Sequence, residues 1–179
     1  MTAAPLAPPF AGEPYERPAQ PVLTFTLLGK PQPQGSKSGF IRKGKVIMVE
    51  AVKGLMPWRA KVHKVIRESI AATPAPAGYP LLGPIWIDLV FSMHKPLGAP
   101  KRKRTWPITK PDADKLARAV LDAGTLAGLW HDDAQVVALH AWKVYPLETP
   151  RALRQPGLAA AVYLIDEPRS PAGEQASLL

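Results

Sequence analysis

Cysteine is absent from all 179 residues, which excludes disulfides, thiolate zinc sites and a cysteine nucleophile together. Long apolar runs are missing as well. No stretch approaches the roughly 20 residues of a membrane-spanning helix, and the N-terminus has no charged start followed by an apolar core of the secretory kind. An intracellular, cytoplasmic protein is the expectation. Acid is scarce: 14 Asp and Glu stand against 23 Lys and Arg, for a formal charge of +9. Such an excess says nothing about fold. It favours a polyanionic partner and fast electrostatic capture, although a positive charge can also serve solubility alone.

Hydrophobic residues make up 46% of the chain, enough for one buried core. The 22 prolines cluster outside the periodic segments. Residues 1–21 are rich in proline and poor in large apolar side chains, so they cannot offset their ordering entropy and read as a flexible arm. Residues 166–179 read as a disordered tail, which leaves residues 22–165 as the folded domain.

Within that domain, residues 22–28 (VLTFTLL) form a first strand and residues 29–39 (GKPQPQGSKSG) a loop. Two β-prone pieces within residues 40–49 flank Lys43-Gly44-Lys45 as a hairpin. Pro57 suits a first helical turn, after which Trp58, Val62, Val65, Ile66 and Ile70 recur at helical spacing. Residues 85–93 (IWIDLVFSM) predict a central strand and residues 95–110 a basic loop. A second helix is expected over residues 113–127, stopped by Gly128. Strands over residues 136–144 and 158–165 complete the domain. The fold class is therefore α+β, with two main helices on one face of a mixed β-sheet and the order β-β-β-α-β-α-β-β.

The chemistry concentrates in residues 110–137, KPDADKLARAVLDAGTLAGLWHDDAQVV. Although acid is scarce, Asp112, Asp114, Asp122, Asp132 and Asp133 fall within one 22-residue window. Leu116, Val120, Ala123 and Ala127 share the core face of the helix, while Asp114, Arg118 and Asp122 are successive i,i+4 neighbours on another. Asp132 and Asp133 precede the next strand, and the returning chain is expected to bring them near the helix start. Gathering carboxylates costs repulsion unless a cation binds, and all-oxygen ligands suit Mg²⁺ or Mn²⁺. Such a site cleaves phosphodiesters. A plainer reading stands beside this one: Asp112 as an N-cap, Asp114 favoured by the helix dipole, Asp132-Asp133 as turn residues, and Arg118–Asp122 as a surface pair.

The pattern KPDADKLARAVLDA…LWHDDAQV resembles the RusA family of Holliday junction resolvases. The segments GKPQPQGSKSGF and VEAVKGLMPWRAKV add to the likeness, which spans residues 22–165. The resemblance implies a homodimeric, Mg²⁺-dependent endonuclease that nicks four-way junctions symmetrically in recombination and repair. It puts the catalytic, metal-binding aspartates on Asp112, Asp114 and Asp133, and a catalytic basic residue on Arg118. The family carries a lysine at the Arg118 position, and many members carry asparagine where this chain has Lys115. An arginine keeps the charge but does not deprotonate.

His131 adjoins the acidic pair, as a polar turn residue or a further ligand. His140 and Trp142 alternate along a strand and read as sheet packing. Trp130 reads as core, with base stacking as its alternative. Lys101, Arg102, Lys103 and Arg104 lead into the acidic site, and Lys30, Lys37, Arg42, Lys43 and Lys45 form a second basic set. Both are assigned to DNA phosphates, which supply most nonspecific affinity. No groove-reading motif is visible, so branch shape rather than base sequence is the expected determinant. Two other functions fit the same residues: a DNA-binding protein without catalysis, and a metal nuclease acting on flaps or single strands.

Overall fold

The computed structural model describes residues 17–165, apart from 36, 43–44, 51–53, 76–77 and 101. The elements follow the expected order: β1 (Leu23–Leu28), β2 (Lys37–Arg42), β3 (Lys45–Glu50), α1 (Leu55–Ala72), β4 (Ile85–Ser92), α2 (Ala113–Ala127), a 3₁₀ turn (Asp133–Gln135), β5 (Val136–Val144) and β6 (Gly157–Leu164). Four strands form one sheet in the order β1-β6-β4-β5, and β2 with β3 forms a separate hairpin. The four-stranded sheet is mixed because β4 and β5 run parallel while β1–β6 and β4–β6 are antiparallel.

Every residue of β4 is buried, as its near-continuous apolar sequence demands of an interior strand. Alternation divides the sheet into two faces. Phe25, Ile87, Leu89, Phe91, Leu158 and Val162 point to the side where Trp58, Val62 and Ile66 of α1 meet Leu116, Val120 and Ala123 of α2. Both helices thus lie on one face. The other face carries a small cluster around Trp86, Tyr163 and Ile165, and no described helix packs on it.

α1 begins at Leu55, two residues before the proline expected to open it. Pro57 is tolerated there because first-turn N–H groups have no intrahelical acceptor. α2 stops as expected: Gly128 takes φ of 72° and donates its N–H to the carbonyls of Gly124 and Thr125. β2 starts at Lys37, inside the expected loop, since its pairing with β3 extends the hairpin beyond what residue propensity indicates.

Residues 1–16 of the expected arm and 166–179 of the tail lie outside the described residues. Arg17, also assigned to the arm, is anchored on the sheet face away from the helices, donating to Asp88 Oδ2 (2.8 Å) and the Tyr163 hydroxyl (3.0 Å). No described helix is long and apolar enough to cross a membrane.

Candidate active site

The start of α2 is built by three segments. Asp112 occupies the N-cap position with extended backbone, yet its side chain caps nothing. Its Oδ2 lies instead 3.0 Å from the Lys115 ammonium. That hydrogen bond and charge, aided by Lys110 and Lys143, hold the Asp112 carboxyl below its ordinary value, so it is ionised at neutral pH. Asp114, in the first turn, is exposed and makes no hydrogen bond or ion pair among the described residues. The approach to the helix is clasped from the end of β5: the Lys143 ammonium donates to the carbonyls of Thr109 (2.9 Å) and Pro111 (2.8 Å).

The loop after β1 docks on the same spot, where Gln34 N–H donates to the Lys115 carbonyl at 2.8 Å. A cleft of about 340 Å³ results, with Lys30, Gln34 and Lys110 around Asp112 and Lys115. Lys30 therefore stands beside Asp112. Lys110 and the Lys143 clasp were not assigned from sequence. Adjacency to Asp112 could have indicated Lys110, but no local signal tells where the Lys143 ammonium goes.

The Asp132-Asp133 pair divides its roles. Asp132 accepts from Ala134 N–H (2.8 Å) and forms a reciprocal cap with Gln135, whose Oε1 accepts from the N–H groups of His131 (2.9 Å) and Asp132 (3.3 Å). The Gln135 amide also donates to the carbonyls of Leu81 (3.0 Å) and Gly83 (3.1 Å), locking the turn to the strand approach. The Asp133 carboxylate is left exposed, with no hydrogen bond or ion pair among the described residues.

The expected return of this pair to the start of α2 does not occur within one chain. Leu129 N–H donates to the Gly124 carbonyl (3.0 Å) and Trp130 Nε1 to Thr125 Oγ1 (2.9 Å), which fixes the turn at the C-terminal end of α2. That helix has 15 residues, about 22 Å at 1.5 Å per residue. It is the far end of β5, with Lys143, that comes back to Asp112. Accordingly, no three His, Asp or Glu side chains gather as a metal-ligand set among the described residues.

Arg118 is exposed one turn after Asp114 and makes no ion pair among the described residues. The Arg118–Asp122 pair is not formed, because Asp122 turns to Arg59 of α1 at 3.5 Å and joins the two helices. Trp130 is core, 1% exposed. His140 packs as expected against the sheet face, edge-on to Trp86 at 4.7 Å and 3.4 Å from Asp88 Oδ1. Trp142, by contrast, is about half exposed. His131 is exposed in the turn.

In the basic loop Arg102, Lys103 and Arg104 are all exposed, while Lys101 lies outside the described residues. Glu148 anchors this loop by accepting from the Lys95 ammonium and from Thr105 N–H, the latter at 3.0 Å. In the hairpin, Arg42 and Lys45 are register partners at the tip, whereas Lys37 pairs with Glu50 at the base, so the second basic set is split. Lys43 lies outside the described residues.

A family model described as Endodeoxyribonuclease RusA matches residues 29–153, from the docked loop through both helices and β5. The chain is also 33% identical over 138 residues to YqaN, an uncharacterized protein of Bacillus subtilis (strain 168), covering 72% of this chain and 91% of YqaN. The match includes both acidic clusters and every segment that shapes the cleft beside Asp112, and the chain belongs to the RusA endodeoxyribonuclease family.

Proposed function

We propose that this protein is a divalent-metal-dependent endodeoxyribonuclease that resolves four-way DNA junctions as a homodimer, in the cytoplasm, during recombination and repair. One observation carries the reading. The candidate carboxylates are divided between the two ends of α2, with Asp112 and Asp114 at its start and Asp133 beyond its end. Each end is an incomplete set.

A two-fold axis crossing near the middle of β5 completes both sets at once. The Asp133-bearing end of one β5 then meets the Lys143-bearing end of the other, so Asp133 of the partner subunit joins Asp112 and Asp114. Two such composite sites, related by symmetry, suit two symmetric nicks on a four-way junction.

Asp112 is ionised and Asp114 exposed, and both offer the hard oxygen donors that Mg²⁺ or Mn²⁺ takes. When bound, such an ion activates water and neutralises charge on the scissile phosphate. The rest is done by the chain. Arg118 stabilises charge on the phosphate rather than moving protons. Lys30, Lys110 and the basic loop from Lys101 to Arg104 hold the backbone on either side, with Lys37 as a further contact.

Incubation of the purified protein with a labelled four-way junction, a duplex and a flap, with and without Mg²⁺, tests this. Paired nicks in the junction, only with Mg²⁺, are expected. Binding without cleavage in either condition, or cleavage confined to the flap, contradicts it.

A further inference from the structure

The face of the sheet away from the helices carries a second cleft, of about 370 Å³, of which the reaction described above uses Arg104 alone. Val90 forms its floor, and Arg104, Trp106, Trp142, Thr149 and Arg151 stand around it. Its two indoles are unusual in this protein. Trp58, Trp86 and Trp130 are 4%, 3% and 1% exposed, whereas Trp106 and Trp142 are 54% and 52% exposed. Neither is needed to fill the core. The Arg104 guanidinium lies 4.3 Å from the Trp106 ring centre, holding that indole by a cation–π contact. No carboxylate lines the cleft, and the Thr149 hydroxyl at its wall has no hydrogen-bond partner among the described residues.

The occupant must therefore offer flat π surface and negative charge together. A small anion has no use for two indoles, and an apolar peptide would leave two guanidinium groups desolvated. A second copy of this chain with its two-fold axis through the cleft itself, rather than near the middle of β5, would bring like-charged arginines to the same patch. Unpaired nucleotides meet both demands, because every base has a stacking face and every linkage a phosphate.

The cleft is also placed to receive them. Trp106 precedes Asp112 by six residues, and Lys143, which clasps that intervening segment, is the neighbour of Trp142 on β5. Successive side chains of a strand point to opposite faces. One strand position thus separates the clasp at the carboxylate site from the aromatic cleft.

We infer that this cleft binds unpaired nucleotides, with bases stacked on Trp106 and Trp142 and the phosphates held by Arg104 and Arg151. This rests on the chain being a DNA enzyme but not on its cleaving anything. The test is binding in EDTA, read by anisotropy of a labelled short oligothymidylate, with a duplex and a four-way junction beside it.

Trp106→Ala/Trp142→Ala is expected to weaken oligothymidylate binding by about tenfold or more and to leave duplex binding unchanged. Trp106→Phe/Trp142→Phe, which keeps aromatic faces, is expected to retain it. Oligothymidylate should also quench the intrinsic fluorescence of the wild type, since only these two indoles are accessible, and not that of the Phe variant.

Undiminished oligothymidylate affinity in the Ala variant overturns the inference. So does a change of that variant from dimer to monomer in sedimentation, which would make the cleft a subunit contact. Wild-type protein that binds duplex and junction but not the oligothymidylate overturns this inference alone. Protein that binds no DNA at all overturns the nuclease reading with it.

Discussion

The Lys115 ammonium lies 3.0 Å from Oδ2 of Asp112, so a fixed cation already faces a carboxylate assigned to metal. The Asp112 carboxyl is held below its ordinary 3.8, first by the hydrogen bond from Lys115 and then by that charge. Lys115→Asn should raise the Asp112 pKa towards 3.8, as read by carboxyl-carbon NMR titration. It should also tighten Mn²⁺ binding at neutral pH, where the carboxylate is ionised in either protein and only the competing cation has gone. An Asp112 that titrates no higher in the variant would show that Lys115 does not hold it.

Arg118 stands one turn from Asp114 without an ion pair of its own among the described residues. If it stabilises charge on the phosphate, Arg118→Ala should slow single-turnover cleavage roughly a hundredfold or more, the scale of losing one transition-state donor. Arg118→Lys should keep substantial activity, and neither change should much alter Mg²⁺ affinity. An Ala variant cutting at near wild-type speed removes Arg118 from the reaction.

Glu148 ties the basic loop to the domain, and its carboxyl is held below the ordinary 4.5 by the hydrogen bond from Lys95 and then by Thr105 N–H. A lowered folded-state pKa gives stability that is fully present above the unfolded value and is lost as pH falls through the folded one. Glu148→Gln should therefore be less stable than wild type at neutral pH. The difference should shrink as the pH is taken below about 4.5. Urea midpoints of the two proteins across that range check the sign, and a gap that widens on acidification contradicts it.

Gly124 lies under the buried ring of Trp130, where an added Cβ would come within 2.4 Å of Cζ2. Helix propensity alone favours alanine over glycine by about 1 kcal/mol. The indole cannot yield easily, since it is 1% exposed and bonded to Thr125. Gly124→Ala should therefore cost a net ~1–3 kcal/mol, the usual penalty of overpacking. A raised urea midpoint would show that the ring moves aside.

Much of this architecture is legible in the chain. Helical spacing and the Gly128 stop give α2, and the unbroken apolar run of β4 gives an interior strand. The aspartates stand out because acid is scarce elsewhere. What cannot be read is which end of a helix a later turn occupies: the spacing of Asp114 and Asp133 fits either, and only the packing of Trp130 against Thr125 and Gly124 decides it. Local pattern is equally silent on side chains that meet across loops. It places Lys143 on a strand but not its clasp on Pro111, and Trp106 and Trp142 come together from a loop and an edge strand far apart in sequence.

The division of the carboxylates between subunits is tested most directly by mixing two dead enzymes. Asp112→Asn and Asp133→Asn homodimers should each fold, bind junctions and fail to cut. When the two are mixed and allowed to exchange subunits, the heterodimer has one site carrying both substitutions and one site carrying neither. The expected result is restored Mg²⁺-dependent nicking of a labelled four-way junction, on one strand per junction rather than two. If each site is built within a single chain, every site in the mixture carries one substitution, and a mixture as inactive as its parents would contradict the shared site.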